Sequence, residues 1–296
     1  NTDQVLRYAP DGTFLDIFVD STLIKKPHGL TFGPDNYLYV ASSGTNEIVW
    51  SNEVEAKKFV TDLSSALSQP QHLEVHDNQI CVNSYFTNDI QCYDENTGTS
   101  IDKVIVAFNR SLISRDNSIV GPDGNLYVPD DLRNKIFRYS GITGLFSDVA
   151  ITTDDAKLIG PSFLTVGPDE NLYVSSNDRI FRFDITTGNF IDVFVPEKSA
   201  GLLNPRGLSF DTNYLYVSSS DNNRVLRYDS ETGNFIDEFV HSRDNNLMSP
   251  VGNELDDKGI FYVSSPLANK ILSYDTQTGK FLNEIKYGNI KTKEKI

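Results

Sequence analysis

Short runs of alternating apolar and polar residues, five to seven long, recur along this chain between clusters of Gly, Pro, Asn, Asp and Thr. Alternation of period two predicts half-buried β-strands, and the clusters between runs predict tight turns. One stretch, residues 204–242, shows the unit: strand a over 207–210, strand b over 215–218, strand c over 224–228 and strand d over 234–240. No segment carries sustained helical periodicity. The a to b turns contain Gly-Pro-Asp at 33–35, 121–123 and 167–169, where proline presets the first central dihedral. The c to d turns contain Thr-Gly or its equivalent at Gly98, Gly144, Gly188, Gly233 and Gly279, positions that call for a positive φ.

This unit repeats. The central residue of the L-Y-V phrase on strand b falls at Tyr39, Cys81, Tyr127, Tyr173, Tyr216 and Tyr262, at intervals of 42, 46, 46, 43 and 46 residues. Four strands returning at such a period predict an all-β propeller of four-stranded antiparallel blades. Six blades can be laid out, over 26–62, 69–108, 115–151, 160–197, 204–242 and 249–288, in a single domain spanning 1–296. Residues 1–20 match only strands c and d, a half blade, and 289–296 form a basic tail read as a frayed terminus.

The spare hairpin has three readings. The repeat fits six completed blades with one outer hairpin left over, seven blades with their first inner strands upstream of Asn1, or a piece of a larger array. Six is favoured, because two absent inner strands would leave a hole beside the axis. Exposed strand edges template pairing, so exchange of the spare hairpin between copies, giving a homo-oligomer, is a further expectation.

The repeats assign most recurring residues to structure. Asn or Asp stands two residues before the strand c aliphatic at Asp3, Asn46, Asn88, Asn134, Asp178, Asn223 and Asn269. Seven copies cannot all be catalytic, and the expectation is an Asx side chain bonding the backbone of its own turn. Tyr opposite Arg, as in Tyr127 with Arg138 and Tyr216 with Arg227, predicts a stacked or cation–π pair across strands b and c. Cys81 and Cys92 stand at that same offset of eleven residues. Their side chains should therefore face each other on one sheet, which makes a disulfide reasonable. The alternative is two reduced core thiols.

Composition narrows the partners. Of 296 residues, 26 are basic and 41 acidic, a net charge of −15. The acids of the c to d turns (Asp94, Asp184, Asp229, Asp275) and of strand d (Asp16, Asp102, Asp148, Asp192, Asp237) are spread around the repeats, and are expected to form a solvated surface. Nucleic acid and anionic membrane are poor partners for such a chain. It has no apolar run near eighteen residues, so no membrane insertion is expected. A disulfide would point to an oxidising compartment, hence to a secreted, cell-surface or periplasmic protein. Asn109-Arg110-Ser111 fits a glycosylation acceptor.

The repeat resembles the NHL-repeat β-propellers, relatives of the gluconolactonase-like and streptogramin lyase-like propellers. The resemblance is carried by P-x-G-L-x-F-G-P-D-x-x-L-Y-V, present from Pro27-His28-Gly29-Leu30 to Tyr39-Val40 and, in looser form, from Pro205-Arg206-Gly207-Leu208 to Tyr216-Val217, together with N-x-I-x-R-Y. Such propellers include binding modules, calcium-dependent lactonases and lyases, so function should sit where blades differ. The position after the strand a proline runs His28, Gln71, Asp116, Ser162, Arg206 and Val251. A gluconolactonase-like calcium site would draw on Asp116, Gln71, Asn253 and Glu254. A streptogramin lyase-like reaction would need a base and an acid, for which His28 and Glu254 are candidates. A binding role, to a protein or glycan, would use the loops after strand b, with Tyr85, Phe86, Asp130, Asp131 and Arg133. Binding is the favoured reading, with no cofactor firmly implied beyond calcium.

Overall fold

The computed structural model describes residues 3–9, 11–52, 54–60, 67–76, 78–84, 87, 89–106, 118–140, 146–151, 158–242 and 244–286. Six four-stranded antiparallel sheets follow one another, each a simple meander. They are preceded by a two-stranded sheet of β1 (Val5–Tyr8) and β2 (Phe14–Val19). Blade 1 comprises β3 (Pro27–Phe32), β4 (Leu38–Ser42), β5 (Glu47–Ser51) and β6 (Ala56–Lys58). Blade 2 comprises β7 (Pro70–His76), β8 (Gln79–Ser84), β9 (Asp89–Asp94) and β10 (Ser100–Val106). In blade 3 these are β11 (Ile119–Val120), β12 (Leu126–Asp130), β13 (Lys135–Tyr139) and β14 (Phe146–Ile151). Blade 4 has β15 (Pro161–Val166), β16 (Leu172–Ser176), β17 (Arg179–Phe183) and β18 (Phe190–Val195). Blade 5 has β19 (Pro205–Phe210), β20 (Tyr214–Ser219), β21 (Arg224–Asp229) and β22 (Phe235–Val240). Blade 6 has β23 (Asn253–Leu255), β24 (Ile260–Ser265), β25 (Lys270–Asp275) and β26 (Phe281–Lys286). Among the described residues the only helical pieces are four 3-10 turns of three residues each.

The chain divides into two compact units, residues 1–7 with 16–153 and residues 8–15 with 154–296. In the first, Val5, Phe18 and Leu23 pack on a core of Val19, Ile24, Leu38, Val40 and Val49, so the hairpin's outer part rests on blade 1. In the second, the turn at Gly12 lies against Asn283 of β26; a Cβ on Gly12 would come 2.3 Å from the amide nitrogen.

Strand b is the centre of each blade. Both of its faces are covered in β4, β12 and β16, which are buried at every position. Burial of this kind is the main stabilising term of an all-β blade. Neighbouring blades share that core: Tyr173 and Ile180 of blade 4 cluster with Leu208, Leu215 and Val217 of blade 5. Backbones approach closely at the innermost strands. A Cβ on Gly207 would meet Val251 O at 2.5 Å, and the Gly207 N–H donates to that same oxygen at 2.6 Å, which is why the P-x-G-L phrase requires glycine.

The side-chain bonds correct one expectation and add to another. At four of the Asx positions before strand c the side chain bonds a distant segment, where a bond within its own turn was expected. Asp3, Asn46, Asp178 and Asn223 accept from the backbone N–H groups of Lys26, Gln69, Asn204 and Ser249, at 2.7–2.9 Å and 23 to 26 residues away. Each recipient sits at positive φ, so the bond pins the strained residue that leads into the next blade. The strand d acids stay exposed, as expected of a solvated surface, and are also paired. Asp16, Asp148, Asp192 and Asp237 each take a two-pronged bond from the strand c arginine opposite, Arg7, Arg138, Arg182 and Arg227. The Asp102 side chain lies outside the described residues. Arg227 also stacks as expected, 4.6 Å from the Tyr214 ring centre and 5.9 Å from that of Tyr216, while Arg7 and Arg182 lie over the strand d rings of Phe18 and Phe194.

Two further regularities come from the strand b phrase. Its tyrosine hydroxyl donates to an aspartate of the preceding a to b turn, in the pairs Tyr39–Asp35, Tyr127–Asp123, Tyr173–Asp169, Tyr216–Asp211 and Tyr262–Asp256. Its final serine (Ser42, Ser84, Ser176, Ser219, Ser265) accepts from the backbone N–H of a residue 16 or 17 positions earlier and donates back to a carbonyl there, anchoring the incoming loop.

The c to d turns carry an acid-sensitive set. Asp94, Asp184, Asp229 and Asp275 each accept from the N–H and hydroxyl of a threonine three residues on, and these bonds hold their carboxyls below the ordinary value of 3.8. An acid with a lowered folded-state pKa stabilises the fold fully above its unfolded value, and that stabilisation is lost as pH falls through the folded value. We expect a steep loss of thermal stability below about pH 4, in the range where unfolded carboxylates titrate. Replacing both Asp229 and Asp275 by asparagine should flatten it, and an unchanged acid limb would show that these turns do not set it.

Candidate functional site

In four of the six blades a bulge singles out one position of strand a. In β3, Pro27 pairs with Ser42 and Leu30 with Val40, so His28 and Gly29 face one residue of β4. The same slip occurs between Pro70 and Leu73, Pro161 and Leu164, and Pro205 and Leu208. Bulges of this type turn a side chain out of the ladder and are frequent beside functional sites. The residue turned out is the one that varies: His28 and Gln71 in the first unit, Ser162 and Arg206 in the second. His28 is exposed, and Gln71, Ser162 and Arg206 are half-buried. The Ser162 hydroxyl lies 3.1 Å from that of Ser175. The variable position was legible in the sequence; the bulge that presents it was not, since it appears only when strands a and b are paired.

Other candidates are placed as follows. Asp116, Tyr85 and Phe86 lie outside the described residues. Asp130 takes the slot of the loop-anchoring serines, is wholly buried, and holds Arg133 at 2.6 Å through its side chain and at 2.8 Å through the backbone N–H. Asp131 is exposed. Glu254 is exposed on β23. Its neighbour Asn253 uses its amide to join blades 5 and 6, donating to Gly207 O at 3.0 Å and to Ser218 Oγ at 2.9 Å. Among the described residues no group of three or more His, Cys, Asp or Glu is arranged to hold a metal ion.

Cys81 and Cys92 are opposed on β8 and β9 and joined in a disulfide, with Cα atoms 4.1 Å apart. The offset of eleven residues read from the repeats is the observed register, shared by Tyr39 with Trp50 and Tyr216 with Arg227.

The feature that sequence reasoning missed is the uncovered face of β3. Leu30 is 55% exposed and Phe32 65% exposed. The corresponding residues of β19 are covered: Leu208 is 8% exposed, and Phe210 packs at 4.8 Å against the Tyr173 ring of blade 4. His28, Leu30 and Phe32 alternate along β3 and are the exposed members of the strand. Two large apolar side chains open to water on one strand face are the kind of surface a partner can cover.

No model of a protein family matches the chain, and no curated protein matches its sequence. Solved structures do resemble it. One is virginiamycin B lyase from Staphylococcus aureus, at 18% identity and a TM-score of 0.71, covering 90% of this chain and 85% of that one. Another is a nidogen/laminin complex, at 19% identity and a TM-score of 0.57, covering 81% and 90%. A third is the extracellular domain of a hybrid two-component system protein from B. thetaiotaomicron, at 14% identity and a TM-score of 0.66, covering 90% of this chain and 36% of that one. These likenesses show the fold, a β-propeller of four-stranded blades.

Proposed function

We propose that this chain acts outside the cytoplasm as a binding scaffold for a polypeptide partner that covers the β3 face of His28, Leu30 and Phe32. The observation that carries the reading is the contrast between Leu30 and Phe32, both open to water, and Leu208 and Phe210, both sheltered by an apolar sheet. What covers the second pair is β-structure bearing Phe163 and Tyr173, so the chemistry suited to the first pair is an apolar β-segment. The disulfide supports an oxidising location. No helix among the described residues is long and apolar enough to cross a membrane.

A photo-crosslinking side chain at position 32 tests this. Crosslinks are expected to converge on one segment of one partner, and that partner, purified, should bind the L30S/F32S double variant at least about tenfold more weakly, a loss near 1.4 kcal/mol. The melting temperature of the variant should be unchanged, since exposed residues contribute little to stability. Scattered crosslinks, or undiminished binding by the variant, would defeat the proposal. The lyase reading draws on the likeness to virginiamycin B lyase and on His28 and Glu254, both exposed. It would be preferred if His28→Ala removed a turnover that L30S/F32S retained.

A further inference from the structure

Blade 2 departs from its sisters at the residue that follows the c to d turn aspartate. In blades 5 and 6 that residue is Ser230 or Thr276, whose hydroxyl donates to Thr212 O at 3.1 Å or to Gly259 O at 2.8 Å. In blade 2 it is Glu95, whose backbone N–H keeps the sister bond, to Asn78 O at 2.8 Å, while its carboxylate turns toward blade 1. Glu95 is 6% exposed, and its Oε1 is buried without a hydrogen-bond donor. That oxygen and Asp35 Oδ1 lie 2.5 and 2.7 Å from the point where a Cβ on Gly33 would stand. Both carboxylates therefore lie against Gly33, a closeness that only a residue without a side chain allows.

Charge makes this arrangement unusual. Asp35 is served by donors, the Tyr37 N–H and the Tyr39 hydroxyl, each at 2.9 Å. Glu95 is served by none at Oε1, and the charges acting on it, from Asp35 and Asp94, share its sign. A buried carboxylate without donors or a counter-charge is costly, and such a group recruits a cation or a proton. Carboxylate oxygens are hard donors, and Asp35 stands at the surface, where water can fill the remaining coordination positions.

We infer that Glu95 and Asp35 bind a hard divalent cation, calcium, at the junction of blades 1 and 2. The ion bridges the c to d turn of one blade and the a to b turn of the other, so it ties the two sheets together. This site is separate from the β3 face, and its failure would leave the binding proposal standing.

Calcium chloride titrated into chelator-treated protein at neutral pH tests the inference, read by melting temperature and by terbium luminescence sensitised through nearby Tyr39. A saturable rise in melting temperature is expected, with terbium displaced by calcium. Glu95→Gln and Asp35→Asn should each weaken calcium binding by about tenfold or more. Glu254→Gln should leave it intact. No saturable response in the wild-type protein, or an equal response in Glu95→Gln, would overturn the assignment. So would a response abolished by Glu254→Gln but not by Glu95→Gln. A calcium-independent stability gain on mild acidification that vanishes in Glu95→Gln would overturn it in favour of a shared proton. Should Glu95→Gln fail to fold, Asp35→Asn and the terbium competition decide.

Discussion

Replacing Tyr216 by alanine should lower the stability of the fold by about 3–5 kcal/mol, the cost of emptying a large aromatic site in a packed interior. Tyr216 is fully buried and sits between two blades, stacked on Phe261 at 4.9 Å and edge-on to Phe239 at 5.1 Å. Its hydroxyl donates to Asp211 at 2.9 Å, and burial holds the phenol far above its ordinary value, so it stays a neutral donor at any working pH. Tyr216→Phe isolates that hydroxyl. It keeps the ring and removes one hydrogen bond, for an expected cost of about 1 kcal/mol. Thermal or denaturant unfolding of both variants checks the pair. Equal losses would mean that the hydroxyl and not the ring carries the site, whereas a loss below about 2 kcal/mol for the alanine variant would mean that the interface between blades 5 and 6 is looser than described.

Cutting the Cys81–Cys92 bridge should cost about 2–3 kcal/mol, because closing a loop of this length restricts the unfolded chain by that much. The two cysteines are eleven residues apart on adjacent strands. Blade 2 has no tyrosine in this slot and so lacks the bond to an a to b turn aspartate that five other blades make; the covalent link stands in its place. A Cys81→Ser/Cys92→Ser variant, compared with the oxidised and fully reduced wild-type protein by thermal unfolding, measures the effect. Reduced wild type and the double variant should agree. If reduction leaves the melting temperature unchanged, or if unreduced protein takes up two alkyl groups, the bridge contributes nothing to the folded protein.

The loss on cutting the bridge bears on where the protein can work. A chain that depends on a disulfide for that share of its stability is suited to an oxidising compartment, where the bond persists. The proposed β3 surface and the proposed calcium site both fit such surroundings, since calcium sites of modest affinity are served by extracellular concentrations.

Much of the architecture was legible because its determinants are local. Alternation along five residues marks each strand, and the glycines at 98, 188, 233 and 279, with φ between 67° and 71°, mark the turns. The repeat then supplied the register, and with it the opposition of Cys81 and Cys92. The Tyr–Asp bonds were within reach, because an aspartate precedes the tyrosine by four to six residues in five blades. The Asx residues were misjudged for an instructive reason. Their local preference for turns is real, Asn46 and Asn223 both adopting positive φ, but the acceptor oxygen is spent on a backbone group in the following blade.

Strand positions, the glycine turns and the opposition of the two cysteines were thus written in the amino-acid order, since each depends on residues within about a dozen positions or on their periodic return, while six blades, favoured by the repeat over seven, is the number the sheets show. Only the folded arrangement decided that Leu30 and Phe32 stand open while Leu208 and Phe210 are covered, and that the Glu95 carboxylate lies against Gly33 of blade 1. Near-identical motifs receive different surroundings in different blades, because what lies against a sheet face is set by the neighbouring sheet and not by the strand that bears it.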